Sequence, residues 1–501
     1  MSGGATFYDL FVIGGGVNGC GVARDAAGRG FSVGLAEKDD LASGTSSKST
    51  KLVHGGLRYL ETLEFGMVRE ALREREILLT IAPHLVRPMR FILPVAPGAR
   101  PAWLLRLGLF LYDRLGVRQK LPGAKALDLR KAPEGAALRP DLRKAFSYWD
   151  GRVDDSRLVV LNARDAADRG ADILTRAEVM RTRVEDGAWR IALRDRQTSA
   201  EREIAARLVV NAAGPWAESV LRGAIGARNP PRLRLVRGSH IVTRKLFDSD
   251  AAFLFQADDG RVVFAIPYQN DFTLIGTTDV DHSGAPEKAA ITAEETAYLC
   301  RVASAFLARG VAPPDVLWSF SGVRPLNDDG GGTAAKVSRD YAIDETGIEG
   351  APLISILGGK LTAFRHVAEQ VVDRAAAHLG ARGRAWTATP PLPGGDFSNG
   401  DLAAVEKDLA AKYPFLRAAE ARRLAHAYGT LCDEILGAAR RREDLGRNFG
   451  MGLSEAELDY LAGREWARTA EDVLWRRSKL GLHADAEKIA AIDAFLAGEE
   501  K

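Results

Sequence analysis

Three glycines and a glutamate carry the first chemistry legible in this sequence. Gly14, Gly16 and Gly19 form a GxGxxG pattern directly after the apolar run 10–13, and Glu37 follows 18 residues after Gly19. Gly14 allows a tight turn, Gly16 lets the backbone approach a pyrophosphate, and Gly19 lets helix and strand pack closely. A helix N-terminus then faces the phosphates, and the Glu37 carboxylate accepts from a ribose hydroxyl. An acidic residue at that place selects a ribose without a 2′-phosphate, so FAD or NAD is expected rather than NADP.

The elements that must position these groups can be read from periodicity. Residues 7–13, 17–29 and 31–36 read as strand, helix and strand, a βαβ unit in a parallel sheet. Two more apolar strands run into glycines at 208–214 and 353–359, as strands do at the carboxyl edge of a cofactor-binding sheet. The cofactor-type segments are therefore dispersed, at the start, at 211–216 and at 356–362. A compact NAD domain would keep them together, and a long flavin spanning the molecule explains them better.

Residues 43–56 are polar and glycine-rich, as a stretch along a ligand would be, and a charged helix is expected over 65–80. Alternation at 189–193, 262–266 and 272–275 reads as antiparallel strands of a second sheet. After the Pro-Gly turn at 390–395, Ala, Leu, Arg and Glu recur at helical spacing. The expected fold class is α/β: a doubly wound, Rossmann-like FAD-binding domain of glutathione-reductase type, discontinuous over 7–90, 150–235 and 325–390. A substrate domain with an antiparallel sheet takes 91–149 and 236–324, and a helical domain takes 396–501.

The stretch 100–116, RPAWLLRLGLFLYDRLG, has two readings. It is a helix buried between domains, or an interfacial helix whose Leu105, Leu109 and Phe110 enter lipid headgroups while arginines meet phosphates. Residues 466–475 read as a helix, with Arg468, Arg476 and Arg477 on a solvated face. The glycine-rich 327–333 reads as a solvated turn.

Composition narrows the function. The chain has 501 residues, and 69 Lys plus Arg against 66 Asp plus Glu leaves 69 − 66 = +3, without the excess of a nucleic-acid binder. Cys20, Cys300 and Cys432 are far apart, which argues against a disulfide framework and a metal site, and Cys20 reads as packing. No leader-like N-terminus is evident, and no uncharged apolar run is long enough to cross a bilayer, so membrane association is expected to be peripheral.

The blocks IGGGVNGCG, TSSKSTKLVHGGLRYLE, NAAGPW, RGSHIV, IGTTDV, SGVRPL, SRDY and GGKLTAFR, in order over about 7–495, resemble the aerobic FAD-dependent glycerol-3-phosphate dehydrogenases. These are relatives of the D-amino-acid oxidases and glycine oxidase. The resemblance implies non-covalent FAD, oxidation of sn-glycerol 3-phosphate to dihydroxyacetone phosphate, and two electrons passed to a membrane quinone. It also implies a cytoplasmic enzyme held peripherally on the inner face of the cytoplasmic membrane through 100–116, and leaves room for a homodimer. A soluble oxidase that releases hydrogen peroxide is the alternative.

Within that resemblance, a phosphate of charge near −2 calls for cations, and Arg58, Arg324, Arg339 and Lys360 are the candidates, with Tyr59 as a hydroxyl donor. Carbon 2 loses a hydride and its hydroxyl a proton, so a base of near-neutral pKa is useful. His54 ranks first as proton acceptor and His240 as a substrate-orienting residue. Arg324 would hold the developing alkoxide-like oxygen and Lys360 would stabilise charge on reduced flavin. The family pattern places Thr45, Ser46 and Ser47 near pyrophosphate, Lys51 and Leu52 beside the ring, Gly214 at the adenine half, and Gly359, Lys360, Leu361 and Thr362 along the ring and its side chain. Thr277, Thr278 and Asp279 lie near substrate by resemblance alone.

Overall fold

The structure, a computed structural model, describes residues 6–60, 63–96, 100–116, 121–327 and 341–498. Its first sheet contains β1 (Phe7–Ile13), β2 (Val33–Glu37), β7 (Asp172–Thr175), β8 (Ala177–Glu185), β9 (Ala188–Asp195), β10 (Glu201–Asn211), β17 (Ala342–Ile348) and β18 (Ala351–Leu357). The order β17-β18-β10-β1-β2-β7 has a parallel centre from β18 to β7. β1 is buried at every position after Phe7, as a strand covered on both faces must be. Helices α1 (Val17–Gly28), α4 (Asp155–Asp168) and α7 (Phe364–Leu379) pack together over one face.

The second sheet contains β3 (Leu52–Val53), β4 (Val86–Pro94), β5 (Lys125–Asp128), β6 (Lys144–Val153), β11 (Leu233–Arg244), β12 (Ala252–Gln256), β13 (Val262–Tyr268), β14 (Phe272–Gly276), β15 (Val280–Asp281) and β16 (Val316–Asn327). Its order is β15-β11-β14-β13-β12-β4-β6-β3, with β16 on β11 and β5 on β6, and every pairing is antiparallel except β12 with β4. Helices α2 (Phe65–Ile81), α3 (Ala102–Leu115) and α6 (Ala293–Phe306) pack on it, and α5 (Ala217–Arg222) follows β10.

Several expectations shift. The segment 189–193 is β9, which joins β8 and β10 in an antiparallel ribbon on the first sheet, not the second. The divisions expected at 90, 150, 235 and 325 fall inside β4, β6, β11 and β16, all strands of the second sheet. Composition marks where character changes, whereas register decides which sheet a strand joins.

The C-terminal helices α8 (Leu402–Lys412), α9 (Ala418–Tyr428), α10 (Cys432–Leu436), α11 (Glu455–Arg464) and α12 (Ala486–Ala497) enclose a core of their own. The helix expected over 466–475 is displaced: α11 ends at Arg464, and a π-helical stretch runs from Asp472 to Arg477. Arg468 alone is exposed. Arg477 is 0 % exposed and grips the Asp40 carboxylate with two bonds of 2.8 Å, while Arg476 Nε donates to it at 2.6 Å. Asp40 lies just after β2, so these arginines fasten the C-terminal domain to the cofactor sheet. A buried carboxylate needs such partners. Cys20 is packed in the α1 core, and burial pushes its thiol upward.

Two histidines where the C-terminal domain meets β4, His84 buried and His426 half-buried beside Arg87, make stability depend on acid. Burial, then Arg157 and Arg87, pull His84 down to about 3; burial, then Arg87, Arg422, Arg152 and His84, pull His426 down to about 2. Between pH 6.5 and 3 the unfolded chain therefore binds protons that the folded chain refuses, and folded stability falls as pH falls. Each ring contributes about 1.4 kcal/mol per pH unit in that window. Unfolding midpoints from pH 7 to 5 should show this slope, and His84→Leu should remove about half of it. An unchanged slope would assign the acid sensitivity to other groups.

Candidate active site

A single cavity of about 1170 Å³ runs from the first sheet to the second. At one end Gly14 lies at φ +112°, and a Cβ there would meet the Ala212 carbonyl oxygen at 2.7 Å. A Cβ on Gly19 would sit 1.9 Å from the Gly14 oxygen, which is why helix α1 can begin directly over β1. The α1 N-terminus opens into the cavity with no acidic residue in its first turn. Ser46 Oγ accepts from Val17 N at 3.0 Å, and Thr45 Oγ1 donates to the Val323 carbonyl at 2.6 Å, tying this loop to both sheets.

Glu37 ends β2 with its carboxylate oriented in advance. One oxygen accepts from Gly15 N at 2.7 Å and the other from Asp39 N at 2.8 Å, which leaves further lone pairs for ribose hydroxyls. Burial pushes its pKa up, against those two bonds. Asn18 Oδ1 is buried without a hydrogen-bond partner among the described residues and belongs to a cavity-lining side chain. Gly214, Leu52 and the run Gly359, Lys360, Leu361 and Thr362 also line the cavity. A glycine-lined cradle, an open helix terminus, an anchored carboxylate and an orphaned acceptor together fit a dinucleotide cofactor.

Toward the second sheet, His54, Tyr59, Lys360, Arg324, Thr277 and Asp279 line the same space. His54 leads into the turn Gly55–Gly56, where Gly56 N donates to His54 Nδ1 at 3.1 Å, and His54 N donates to Thr362 Oγ1 at 3.3 Å. The Lys360 ammonium lies 3.8 Å from the centre of the Tyr59 ring, a cation–π contact. Arg324 on β16 donates to Asp279 at 2.6 Å and to Thr277 Oγ1 at 3.3 Å, so Asp279 aims the guanidinium. The Arg58 side chain, Arg339 and residues 328–333 of the glycine-rich loop lie outside the described residues.

Other expected residues are placed elsewhere. His240 is 1 % exposed and does not line the cavity; it stacks on Phe320 at 4.8 Å and lies with Nε2 2.9 Å from Thr50 Oγ1. Burial, then Arg324 and Lys51, push its pKa well below the usual range, so it is a neutral buttress behind Thr50. Thr278 turns inward to Glu295 at 2.7 Å. Ser47 and Lys51 do not line the cavity. The Lys51 ammonium turns away to Asp155 at 2.6 Å and to the Ser47 carbonyl.

Sequence reasoning missed Asp155, Lys479 and Tyr112. Asp155, fully buried at the start of α4, accepts from Lys51, from Ser49 Oγ at 2.7 Å and from Lys479 of the C-terminal domain at 3.1 Å. Burial alone would raise its pKa, but Lys479 and Lys51 outweigh burial and hold it below the usual carboxylate range. Lys51 is pulled down to about 8, by burial first. Thus the cofactor loop is braced from behind by a domain more than 300 residues away in sequence. No local pattern signals that pairing.

A glycine-cradled nucleotide site that opens onto a histidine and cations is the arrangement of a dinucleotide-dependent oxidoreductase. The family described as FAD dependent oxidoreductase matches residues 9–365, and the C-terminal domain of alpha-glycerophosphate oxidase matches residues 385–497. The chain belongs to the FAD-dependent oxidoreductase family, and FAD is its cofactor. It is 49 % identical over 97 % of its length to D-erythritol 1-phosphate dehydrogenase of Brucella abortus, covering 97 % of that protein. It is 46 % identical over 99 % of its length to glycerol-3-phosphate dehydrogenase of Pseudomonas aeruginosa, covering 96 % of it. Among solved structures it is similar to the glycerol-3-phosphate dehydrogenase from Bacillus halodurans complexed with FAD, at TM-score 0.76 and 28 % identity, covering 100 % of this chain and 95 % of that one.

Proposed function

We propose that this enzyme oxidises sn-glycerol 3-phosphate to dihydroxyacetone phosphate and passes the electrons to a quinone at a bilayer surface. The observation that carries this reading is the single cavity that joins the dinucleotide cradle to His54, Arg324 and Lys360. FAD bound in the cradle would supply the acceptor for the hydride of carbon 2. Arg324 and Lys360 supply positive charge for the phosphate and for the developing alkoxide-like oxygen. The bond from Gly56 N to His54 Nδ1 leaves the neutral ring's proton on Nε2. His54 accepts the substrate proton at Nδ1 once the Gly56 N–H gives way, at a cost of about 1 kcal/mol.

The 49 % relative favours a second reading, a four-carbon polyol phosphate at the same site. Visible spectra of the anaerobic protein separate the two. Addition of sn-glycerol 3-phosphate should bleach the flavin band, and D-erythritol 1-phosphate should do so more slowly. Faster bleaching by the four-carbon substrate would reverse the order, and a band that persists with both would overturn the substrate class. Recovery on adding a soluble quinone, in preference to oxygen, would support the dehydrogenase over the peroxide-forming oxidase.

The exposed face of α3 supports the membrane acceptor. Trp103, Leu107 and Phe110, at spacing i, i+4, i+7, are 68, 47 and 52 % exposed, and Arg106 and Arg114 flank them. Leu105 and Leu109, expected to face lipid, instead pack inward with Tyr112. The helix is apolar on both sides, so its period alone does not say which side the core takes. Among the described residues no helix is long and apolar enough to cross a membrane. Trp103→Glu and Phe110→Glu combined, both outside the cavity lining, should release the enzyme from sedimenting membranes with its dye-linked activity retained. An unchanged distribution would remove α3 from the lipid contact.

A further inference from the structure

Three successive peptide N–H groups hold the His54 turn, and each has a different partner. His54 N donates to Thr362 Oγ1 at 3.3 Å, Gly55 N to the Tyr112 hydroxyl at 2.8 Å, and Gly56 N to the His54 ring at 3.1 Å. The middle contact comes from α3, the helix whose outer face is assigned above to the bilayer. Tyr112 is 2 % exposed and its hydroxyl has one proton, which it donates to Asp150, with oxygens at 2.8 and 2.9 Å. Its lone pair is therefore turned toward Gly55. Asp150 is fixed in turn by Arg75 at 2.7 Å, and both are 2 % exposed.

The approach is close enough to dictate the residue it reaches. A Cβ on Gly55 would lie 2.6 Å from the Tyr112 oxygen and 2.4 Å from Leu72 Cδ2. The first glycine after His54 is thus required by the close approach of Leu72 and Tyr112 rather than by its backbone angles, since only Gly56 of the two has a positive φ, at +74°. Asp150 and His54 both line the cavity, while Tyr112 does not. The chain Arg75–Asp150–Tyr112–Gly55 is hydrogen-bonded throughout, and it ends one peptide from the imidazole.

We propose that Tyr112, fixed by Asp150, is a positioning residue that sets the His54 imidazole through the Gly55 peptide; this rests on His54 being the proton acceptor. If the hydroxyl is lost, Gly55 N–H is left buried without its acceptor and the turn relaxes. Gly56 N–H then no longer meets Nδ1 in the same geometry, and the ring's proton affinity changes with it. Phosphate binding, carried by groups on β16 and beside Gly359, is untouched.

Tyr112→Phe tests this, because it keeps the ring packed edge-on to Tyr148 and deletes only the hydroxyl. The expected result is a fall in kcat of about tenfold or more. KM for sn-glycerol 3-phosphate should stay within about twofold and flavin content should equal the parent's. The acid limb of kcat against pH should move by about half a unit or more. Leu109→Ala, on the same buried face but away from Gly55, should lower thermal stability and leave that limb in place. His54→Asn is measured alongside. If it is inactive while Tyr112→Phe keeps the parent's kcat and pH profile, the positioning role is overturned alone. If His54→Asn remains active, the proton-acceptor reading fails and the proposal falls with it. Should Tyr112→Phe not fold, Asp150→Asn reads the same limb, and an unmoved limb there overturns the proposal.

Discussion

His54→Asn is expected to lower kcat by about two to four orders of magnitude while the protein stays fully yellow. Asparagine keeps an acceptor for the Gly56 N–H, so the turn that places residue 54 in the cavity survives. Thr362 and Tyr112 continue to hold the neighbouring peptides. What disappears is the imidazole nitrogen that would take the substrate's hydroxyl proton. Flavin content, KM and the anaerobic half-reaction rate should be measured together. A loss confined to reduction by substrate, with normal reoxidation by quinone, identifies the proton acceptor. A loss of flavin would instead assign His54 a structural role, and an unchanged rate would remove it from the chemistry.

Asp155→Ala should have the second large effect, on stability and cofactor retention. The carboxylate is buried between Lys51 and Lys479, and its removal leaves two ammonium groups facing each other away from water. Breaking a buried pair in this way is destabilising by about 3–5 kcal/mol. The Ser49 anchor is lost with it, so the loop that carries Thr45 and Ser46 loosens and FAD should dissociate on gel filtration. Without Asp155 the two lysines hold their protons less tightly in the folded state than in the unfolded one. The unfolded chain then binds more protons, so the variant's deficit should shrink as pH rises from 7 to 9. A variant with parental flavin content and thermal midpoint would show that the C-terminal domain does not brace the cofactor loop.

The cofactor end of the site was legible because its rules are local. Gly14, Gly16, Gly19 and Glu37 act within one βαβ unit, and the structure puts each where the spacing requires it. His54 and Lys360 were found through motif blocks, and both line the cavity. His240 sits in an equally family-like block, yet the pleat of β11 turns it toward Phe320 and Thr50 instead of the cavity. A side chain on a strand has two faces to choose from, and the pairing of β11 with β14 and β16 makes the choice.

By itself, then, the sequence determined the parallel sheet, its nucleotide-binding turn, the helical C-terminal domain and the family of flavin enzymes they belong to. Glycine conformations and hydrophobic periods act over a few residues and can be read in one pass. Only the tertiary structure decided which side of α3 is buried, where Arg476 and Arg477 go, and what holds the loop at Lys51. Arg477 meets Asp40 across 437 positions and Lys479 meets Asp155 across 324. Whether a charged side chain is solvated or buried in an ion pair depends on the groups that folding brings beside it. Those partners, far off in the chain, impose no spacing that a sequence reader can see.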